Sequence, residues 1–331
     1  MQRIITAIIC FSLLSPMVWA QHGTPASTST SIKAFEKATY PAPQLLPGED
    51  KHLSNLRQLT FGGENAEAYW SPDGKEIIFQ STQPPFSCDQ VFTMPADGSA
   101  EPKLVSTGKG RCTCSYFIPK SDRLLYASTH EASADCPTPP PRGKEYTWML
   151  YPGYDIFSAN RDGSDPVNLT KQTGYDAEAI VSENGQVVIF TSLRDGDVDI
   201  YRMNLDGSNV QRLTDRKGYD GGPWWSPNGR KIVWRAEYPQ NAADSARWDS
   251  LLVQNIVRPR KLELWIMNAD GSEKRQLTNL SGSTFAPVWM RDNRHILFVS
   301  NLDDPSGRNF ELYQIDTKNP DKTERITIFD G

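Results

Sequence analysis

The 331-residue chain has no excess of basic residues. It carries 35 Lys and Arg against 40 Asp and Glu, which gives a formal net charge of -5. A domain that binds nucleic acid usually presents clustered positive charge to the phosphates. The composition therefore argues against a nucleic-acid partner.

Residues typical of two enzyme classes are also scarce. The chain has four His residues and no Gly-x-Ser-x-Gly segment of the kind that exposes a hydrolase nucleophile. The alternation of Asp195, Asp197 and Asp199 lacks the Gly and distant Glu of a calcium loop. The sequence thus predicts no catalytic residue, no metal site and no cofactor.

Long apolar runs are absent beyond the N-terminus. Arg3 precedes an apolar stretch from Ile4 to Val18, and Val18-Trp19-Ala20 fits a signal-peptidase cleavage site. This pattern predicts a signal peptide over residues 1–20; the alternatives are a retained anchor helix and a lipoprotein attached at Cys10. The stretch is short for a membrane span. We therefore expect the mature chain in the periplasm or outside the cell, without stable membrane insertion.

The predicted mature chain begins with a tail. Residues 21–52 are rich in Ser, Thr, Ala, Pro and Gln, and Pro41, Pro43 and Pro47 oppose regular structure. We expect this segment to be a flexible leader to a single domain over residues 53–331.

A repeated unit fills that domain. Its first copy, from Tyr69 to Phe79, is an apolar stretch, the polar turn Pro72-Asp73-Gly74 and a second apolar stretch. Four further copies follow, and the equivalent residues Val181 and Trp225 of two copies are 44 positions apart. Asp, Asn and Gly in the turns accept positive φ, which is typical of tight hairpins. Each copy therefore predicts two antiparallel strands, A and B.

A second hairpin signal follows each copy. The string Met203-Asn204-Leu205-Asp206-Gly207-Ser208 and similar strings precede short segments such as Arg212-Leu213-Thr214. These segments predict two further strands, C and D, in each repeat. The expected fold class is all-β: a β-propeller of four-stranded antiparallel blades, with five complete blades.

Three of these strings carry a family resemblance. Trp70-Ser71-Pro72-Asp73-Gly74-Lys75, the Met-Asn-x-Asp-Gly-Ser string and Arg275-Gln276-Leu277-Thr278 together resemble the WD-like propeller repeats of TolB, the periplasmic component of the Tol system. The resemblance covers about residues 53–331 and implies a propeller. The same repeat type also occurs in peptidases and lyases. TolB carries an α/β domain before its propeller, and the tail here is too short for one.

The number of predicted D strands exceeds the number of predicted sets of strands A to C. Six segments resemble strand D, including Leu56–Thr60, but only five sets of strands A to C are present. We expect Leu56–Thr60 to be an N-terminal closing strand, and Phe329-Asp330-Gly331 resembles the start of another loop. This pattern predicts a six-bladed parent that continues for roughly 40 residues beyond the C-terminus. Five blades alone would leave a sheet edge exposed.

The longest loops are expected on one rim of the propeller. The D-to-A and B-to-C connections share a rim, and the two longest B-to-C loops contain residues 130–155 and 241–256. Long loops on a rigid scaffold commonly carry binding residues. Tyr146 and Trp148 in the first loop could stack on a peptide or a sugar, or could pack the loop onto the rim.

The second long loop has a helical pattern. Trp248, Leu251, Leu252 and Ile256 recur at helical spacing, which predicts a helix over residues 241–256. We expect this apolar stripe to pack against the rim, and a partner-binding face is the alternative.

The D-to-A loops are expected to surround the central opening with charged residues. The candidates are Glu64, Glu67, Arg111, Asp176, Glu178 and Asp220. Such a cluster could hold a cation or a basic segment of a partner. Alternatively, these side chains bond neighbouring backbone amides and bridge the blades.

Four cysteines follow the predicted cleavage site: Cys88, Cys112, Cys114 and Cys136. An even number in an exported chain favours disulfides over free thiols or a metal site. Cys112 and Cys114 are too close in sequence to pair without strain. Because all four are expected on one rim of adjacent blades, we expect Cys136 to pair with Cys112 or Cys114, and Cys88 with the other.

These features favour an exported, non-enzymatic TolB-like propeller. Its ligand would be an envelope protein or peptide, bound on the rim that carries the long loops. The alternative is an enzyme, either a lyase or a hydrolase, that acts on an envelope or imported polymer at the same channel mouth.

Overall fold

A computed structural model describes residues 43–139, 146–304 and 307–328 of the chain. The predicted signal peptide, most of the predicted tail and the C-terminal Phe329-Asp330-Gly331 lie outside these residues. In the described part, five four-stranded antiparallel sheets follow one another along the chain. The predicted all-β propeller of five blades is therefore confirmed.

The strands are numbered in chain order. Blade 1 consists of β1 (Glu64–Trp70), β2 (Glu76–Thr82), β3 (Gln90–Pro95) and β4 (Lys103–Leu104). Blade 2 consists of β5 (Cys112–Phe117), β6 (Arg123–Ser128), the loop strand β7 (Trp148–Met149), β8 (Asp155–Asn160) and β9 (Val167–Asn168). Blade 3 consists of β10 (Asp176–Val181), β11 (Val187–Ser192), β12 (Asp199–Asn204) and β13 (Gln211–Arg212).

The last two blades follow the same plan. Blade 4 consists of β14 (Tyr219–Trp225), β15 (Lys231–Glu237), the loop elements α1 (Ala242–Leu252) and β16 (Ile256–Val257), β17 (Glu263–Asn268) and β18 (Arg275–Gln276). Blade 5 consists of β19 (Thr284–Trp289), β20 (His295–Ser300), β21 (Glu311–Asp316) and β22 (Asn319–Arg325). Within the described residues, no helix is long and apolar enough to cross a membrane.

The A-to-B turns explain the repeated Trp-Ser-Pro-Asp-Gly string. Ser71 Oγ accepts the N–H of Glu76 at 2.9 Å and donates to Asp73 at 2.7 Å. Ser182 and Ser226 make the equivalent bonds in blades 3 and 4. A serine that satisfies these groups lets the chain reverse within a few residues.

A buried or partly buried hydroxyl ties strand D to the start of strand C in every blade. In blade 3, Thr214 Oγ1 accepts the N–H of Ile200 at 2.9 Å and donates to Asp199 at 3.0 Å. The corresponding residues of blades 1, 2, 4 and 5 are Ser106, Thr170, Thr278 and Thr327. In the first four blades strand D is only two residues long. The hydroxyl therefore strengthens a short ladder, which accounts for the Leu-Thr ending of the repeat.

Every inner strand contains a bulge at the same place. Between Ala66 and Tyr69, two residues of β1 oppose one residue of β2, and the register shifts at the equivalent point of β5, β10, β14 and β19. The first bulged residues are Glu67, Cys114, Glu178, Gly222 and Ala286, with φ of 52°, 48°, 56°, 58° and 47°. A left-handed backbone costs a residue other than glycine about 1–2 kcal/mol. The bulges thus form one strained layer around the propeller axis.

An N-terminal segment bridges the last and first blades. Inner strands of neighbouring blades contact each other in chain order, from β1 and β5 to β14 and β19. Between blades 5 and 1, His52 hydrogen-bonds with Glu324 at 2.9 Å, and Glu49 accepts a backbone N–H just after β22. Leu53 packs on apolar residues of blade 5, and Leu59 packs on those of blade 1.

Two strand predictions are wrong. Leu56–Thr60 forms no strand. β21 is already paired with β22, so blade 5 is complete without this segment. The last of the six segments that resemble strand D is Arg325–Ile328, but β22 ends at Arg325 because the chain turns directly after β21. The described end of the predicted flexible tail, including Glu49 and His52, is held on blade 5.

The hydroxyl link between strands C and D can be tested at Thr278. Its Oγ1 donates to Glu263 at 2.6 Å and accepts the N–H of Leu264 at 2.8 Å. Thr278→Val keeps the shape and leaves two buried polar groups without this partner, so we expect the free energy of unfolding to fall by about 2–3 kcal/mol. Thr173→Val, at an exposed position, is the matched control. Urea unfolding measures both, and equal stability of the two variants would contradict the assigned role.

Candidate functional site in the central channel

Two rim loops meet over the channel. β7 in the loop of blade 2 pairs antiparallel with β16 in the loop of blade 4, with Met149 opposite Ile256 and Trp148 opposite Val257. Trp148 and Val257 belong to an apolar cluster that also contains Tyr175 of blade 3. The paired loops therefore form a lid over the blade 3 side of the channel mouth.

The predicted helix is present but ends earlier. α1 runs from Ala242 to Leu252, and Ile256 lies in β16 instead. Trp248 and Leu251 are buried, as the apolar stripe predicted. Trp248 Nε1 donates to Asp197 of blade 3 at 2.8 Å, which fastens the helix to the rim.

Three aromatic rings form the floor of the channel. Tyr69, Tyr116 and Trp224 each follow the bulge of their strand by two residues, and their ring centroids are 5.4 to 5.8 Å apart. The inner strands begin at the rim that carries the long loops and run away from it, so these rings lie deeper than the bulges. The channel therefore has its mouth at the loops and an aromatic floor beyond the bulge layer.

An ion pair occupies the bulge layer. Arg235 of β15 donates to Glu178 at 2.5 Å and to the hydroxyl oxygen of Tyr219 at 2.9 Å. Glu178 also accepts the N–H of Gly222 at 2.8 Å. A Cβ at Gly222 would lie 2.5 Å from Arg235 Nη1, so glycine here makes room for the guanidinium. Burial lowers the pKa of Arg235, but the charges of Glu178 and Glu67 and the contact with Tyr219 together outweigh burial, so the net pKa is raised.

Glu67 is the second acid of the bulge layer. The Tyr69 hydroxyl donates to its carboxylate, and the side chain is exposed to the channel. The surrounding blades raise the pKa of Glu67 by desolvation, while Tyr69 and Arg235 lower it and Glu178 raises it. The ion pair of Glu178 is direct, whereas Glu67 has a hydrogen bond and a more distant cation. The charge of Glu67 is therefore the less compensated of the two.

Aromatic rings line the mouth. Trp148 contacts Tyr219 and Phe285 edge-on, with centroids 5.6 and 6.2 Å apart, and Tyr146 contacts Phe285 at 6.4 Å. Tyr146 is nevertheless 69% exposed. The surrounding protein raises the pKa of the Tyr146 hydroxyl, Arg235 lowers it and Glu67 raises it. Tyr146 thus lies above the charged layer and faces solvent.

The predicted rim residues divide into two groups. Glu67, Glu178, Tyr146 and Trp148 line the channel or its mouth, and Glu64 is exposed at the start of β1. The others are Arg111, Asp176 and Asp220, which are occupied in bonds between neighbouring elements. Among the residues that the structure describes, no three His, Cys, Asp or Glu side chains are grouped to hold a metal ion.

Arg111 and Asp176 hold loops in place. Arg111 forms an ion pair with Asp89 of blade 1 at 2.7 Å. Asp176 is buried and pairs with Arg194 at 3.0 Å. Both pairs connect a D-to-A loop or inner strand with a B-to-C loop, so these residues bridge rim elements.

Asp220 is fully buried below the rim. It accepts hydrogen bonds from Trp234 Nε1 at 2.5 Å and from the Tyr238 hydroxyl at 2.6 Å. Burial raises the pKa of Asp220 to about 7, against the lowering effect of Tyr238 and Trp234. Nearby Asp199 is also buried, and its pKa is raised by burial to about 6. Asp220 is therefore placed in the blade and away from the channel surface.

The predicted disulfide pairing is wrong. Cys88 is bonded to Cys136, with Cα atoms 5.9 Å apart, and Cys112 and Cys114 are free. Cys112 is fully buried and lies 3.4 Å from Ser128 Oγ. The left-handed bulge turns Cys114 toward the channel, where the charges of Glu67, Glu178 and Arg235 act on it. The two thiols thus point in different directions, although all four cysteines lie in blades 1 and 2.

Some channel residues could not be identified from the sequence. They are Arg235, Tyr219, Phe285 and Gly222, together with the position of Cys114. Alignment of the repeats does place the bulge residues in one column, two positions before the column of Tyr69, Tyr116 and Trp224. No such column identifies Arg235, because the equivalent residues of β2 and β11 are Gln80 and Thr191.

Comparison with known proteins agrees with this architecture. Residues 141–247 match the family model of the TolB beta propeller domain. Dipeptidyl-peptidase 5 of Porphyromonas gingivalis is 44% identical over 39 residues, which is 12% of this chain and 6% of that protein. The match thus covers a small fraction of that relative.

Two solved structures have a similar fold. A TolB candidate protein from Agrobacterium tumefaciens superposes with a TM-score of 0.57 at 18% identity and covers 80% of each chain. TolB from Acinetobacter baumannii superposes with a TM-score of 0.58 at 17% identity, over 79% of this chain and 54% of that one. At this level of identity the likeness concerns the fold.

The buried carboxyl of Asp220 predicts a pH dependence of stability. A carboxyl whose pKa is raised in the folded state stabilises the fold at low pH, and this contribution is lost as the pH rises through the folded pKa. We therefore expect the free energy of unfolding of the wild type, relative to Asp220→Asn, to fall by up to about 1.4 kcal/mol per pH unit between pH 4 and 7.

Asp206→Asn is the control for this measurement. Asp206 is in an exposed turn, and its hydrogen bonds to Ser208 lower its pKa, so it titrates below the tested range. Urea unfolding at several pH values should give a pH-independent difference for this control. The same flat difference for Asp220→Asn would contradict the raised pKa.

Proposed function

We propose that this TolB-like β-propeller is a binding module for a protein or peptide. The ligand would enter the channel mouth beside the lid. The observation that carries the proposal is Tyr146, which stays 69% exposed above a channel that contains Glu67 and Arg235. Exposed aromatic rings around a concave polar site are typical of ligand recognition.

The shape of the mouth supports a chain-like ligand. The lid of β7 and β16 covers the blade 3 side, and Tyr146 and Phe285 lie toward blade 5. A peptide can lie on these rings and direct one side chain into the channel. The aromatic floor of Tyr69, Tyr116 and Trp224 limits how far that side chain can enter.

The chemistry of the channel favours binding over reaction. Burial raises the pKa of the Cys114 thiol, and Glu67 and Glu178 raise it further, so the nucleophilic thiolate is disfavoured. Burial and Glu67 raise the pKa of Tyr69 in the same way. Glu178 and Arg235 neutralise each other. These groups are suited to hold a ligand by hydrogen bonds, charge and ring contacts.

Export of the chain is part of the proposal. The sequence of residues 1–20 has the pattern of a signal peptide. The Cys88–Cys136 disulfide suits an oxidising compartment. We therefore place the mature propeller, residues 53–331, in the periplasm or outside the cell, where its partner is an envelope protein or peptide.

Photocrosslinking tests the proposed position of the ligand. p-Benzoylphenylalanine replaces Tyr146 at the mouth, and in a control variant it replaces Gln186, an exposed residue in the A-to-B turn of blade 3 on the opposite rim. Irradiation of cells that express each variant should give a reproducible adduct with one protein or peptide from position 146. An adduct from position 186 alone, or none from position 146, would contradict the proposal.

A further inference from the structure

We infer that the channel takes a cationic side chain of the ligand, a lysine ammonium or an arginine guanidinium, with Glu67 as its counter-ion. The inference rests on the proposed function and specifies the chemistry of the group that enters the channel. It depends on the charges of the bulge layer, on the surroundings of Glu67 and on the contacts that Arg235 makes with Glu178 and nearby aromatic rings.

In the part of the chain that the structure describes, the acids of the bulge layer outnumber its cations. Two acids, Glu67 and Glu178, interact there with one cation, Arg235. Arg235 Nη2 donates to Glu178 and to the Tyr219 hydroxyl oxygen, which holds the guanidinium between blades 3 and 4. The nearby Cys114 has a raised pKa and is uncharged. A ligand that supplied a second cation would balance the layer.

The surroundings of Glu67 leave room for that cation. The Tyr69 hydroxyl donates to Glu67 from the floor side, and the carboxylate is exposed to the channel. An apolar side chain in the same space would displace the remaining water from Glu67 without supplying a hydrogen bond or an opposite charge. An anionic side chain would be repelled by both acids, and Arg235 already shares its charge with Glu178. The charge therefore selects a cation.

Arg235 provides an internal example of the proposed complex. Its guanidinium pairs with Glu178 and lies 5.7 Å from the ring centroid of Tyr219 and 5.6 Å from that of Phe285. Aromatic faces attract cations at such distances. A carboxylate and an exposed tyrosine ring are also present at Glu67 and Tyr146, whose charges interact. A cationic side chain would thus be held as Arg235 is.

The pairing also has a pH signature. A cation stabilises the ionised form of Glu67, so it lowers a pKa that desolvation has raised. Binding should therefore release protons at pH values near that pKa, and affinity should increase as the pH rises through it. Neither effect is expected for a ligand that binds only to the rim.

Peptide pools test the inference. Four pools of heptapeptides have a fixed central Lys, Arg, norleucine or Glu and random residues at the other six positions, with acetylated and amidated ends. Fluorescence anisotropy measures their binding to the full-length protein at low salt. We expect the Lys and Arg pools to bind at least tenfold more tightly than the norleucine pool, and the Glu pool most weakly.

Variants of Glu67 identify the counter-ion. Glu67→Gln keeps an acceptor for the Tyr69 hydroxyl but removes the charge, and should abolish the preference for Lys and Arg as well as the proton release. Glu67→Asp keeps the charge and should retain part of the preference. Glu101→Gln, the same chemical change at an exposed position between β3 and β4, should bind like the wild type. Thermal unfolding should show all variants folded.

The outcomes separate this inference from the proposed function. If Glu67→Gln keeps the wild-type preference, or if the norleucine or Glu pool binds as tightly as the Lys pool, the inference is wrong and the channel mouth remains a peptide site. If no pool binds and Tyr146 also gives no photocrosslink, the proposed function fails as well. Equal loss of preference in Glu67→Gln and Glu101→Gln would assign the effect to overall charge and overturn the role of Glu67.

Discussion

The constraint on which the channel depends is one left-handed residue in each inner strand. The bulge makes two residues oppose one in the next strand, which redirects the side chains toward the axis. Glycine would accept this backbone freely, yet four of the five positions hold other residues, and two of these are Glu67 and Glu178. Strained backbone of this kind is concentrated at functional sites. The local strain therefore coincides with the layer that carries the channel's charge.

The rest of each blade keeps this strained layer in position. Buried hydroxyls fix the short outer strands, and apolar side chains such as Val233, Trp289 and Phe298 fill the space between blades 4 and 5. A close-packed interior resists local movement. The lid adds a second restraint, because β7 and β16 connect the loops of blades 2 and 4. The proposed site is thus preformed on a rigid support, which would lower the entropy cost of binding.

The fold could be predicted from the sequence because its turns and links are local. Serine turns and the Leu-Thr ending recur at fixed spacing, and each satisfies backbone groups a few residues away. The site was predictable only in part. Arg235 enters the channel from a strand position that varies among blades, and the burial of Asp220 depends on Trp234 and Tyr238. The cysteine pairing depends on the direction in which the bulge turns Cys114, which spacing does not reveal.

The central claim, that the bulge layer is a ligand site open at the loops, can be measured at Cys114. A small methanethiosulfonate reagent at alkaline pH should modify Cys114 in the folded protein, whereas the fully buried Cys112 should stay unmodified. Saturating lysine-centred peptide should slow the reaction of Cys114, since both would occupy the same channel. A rate for Cys114 that the peptide leaves unchanged, or reaction of the two thiols only on unfolding, would contradict the account.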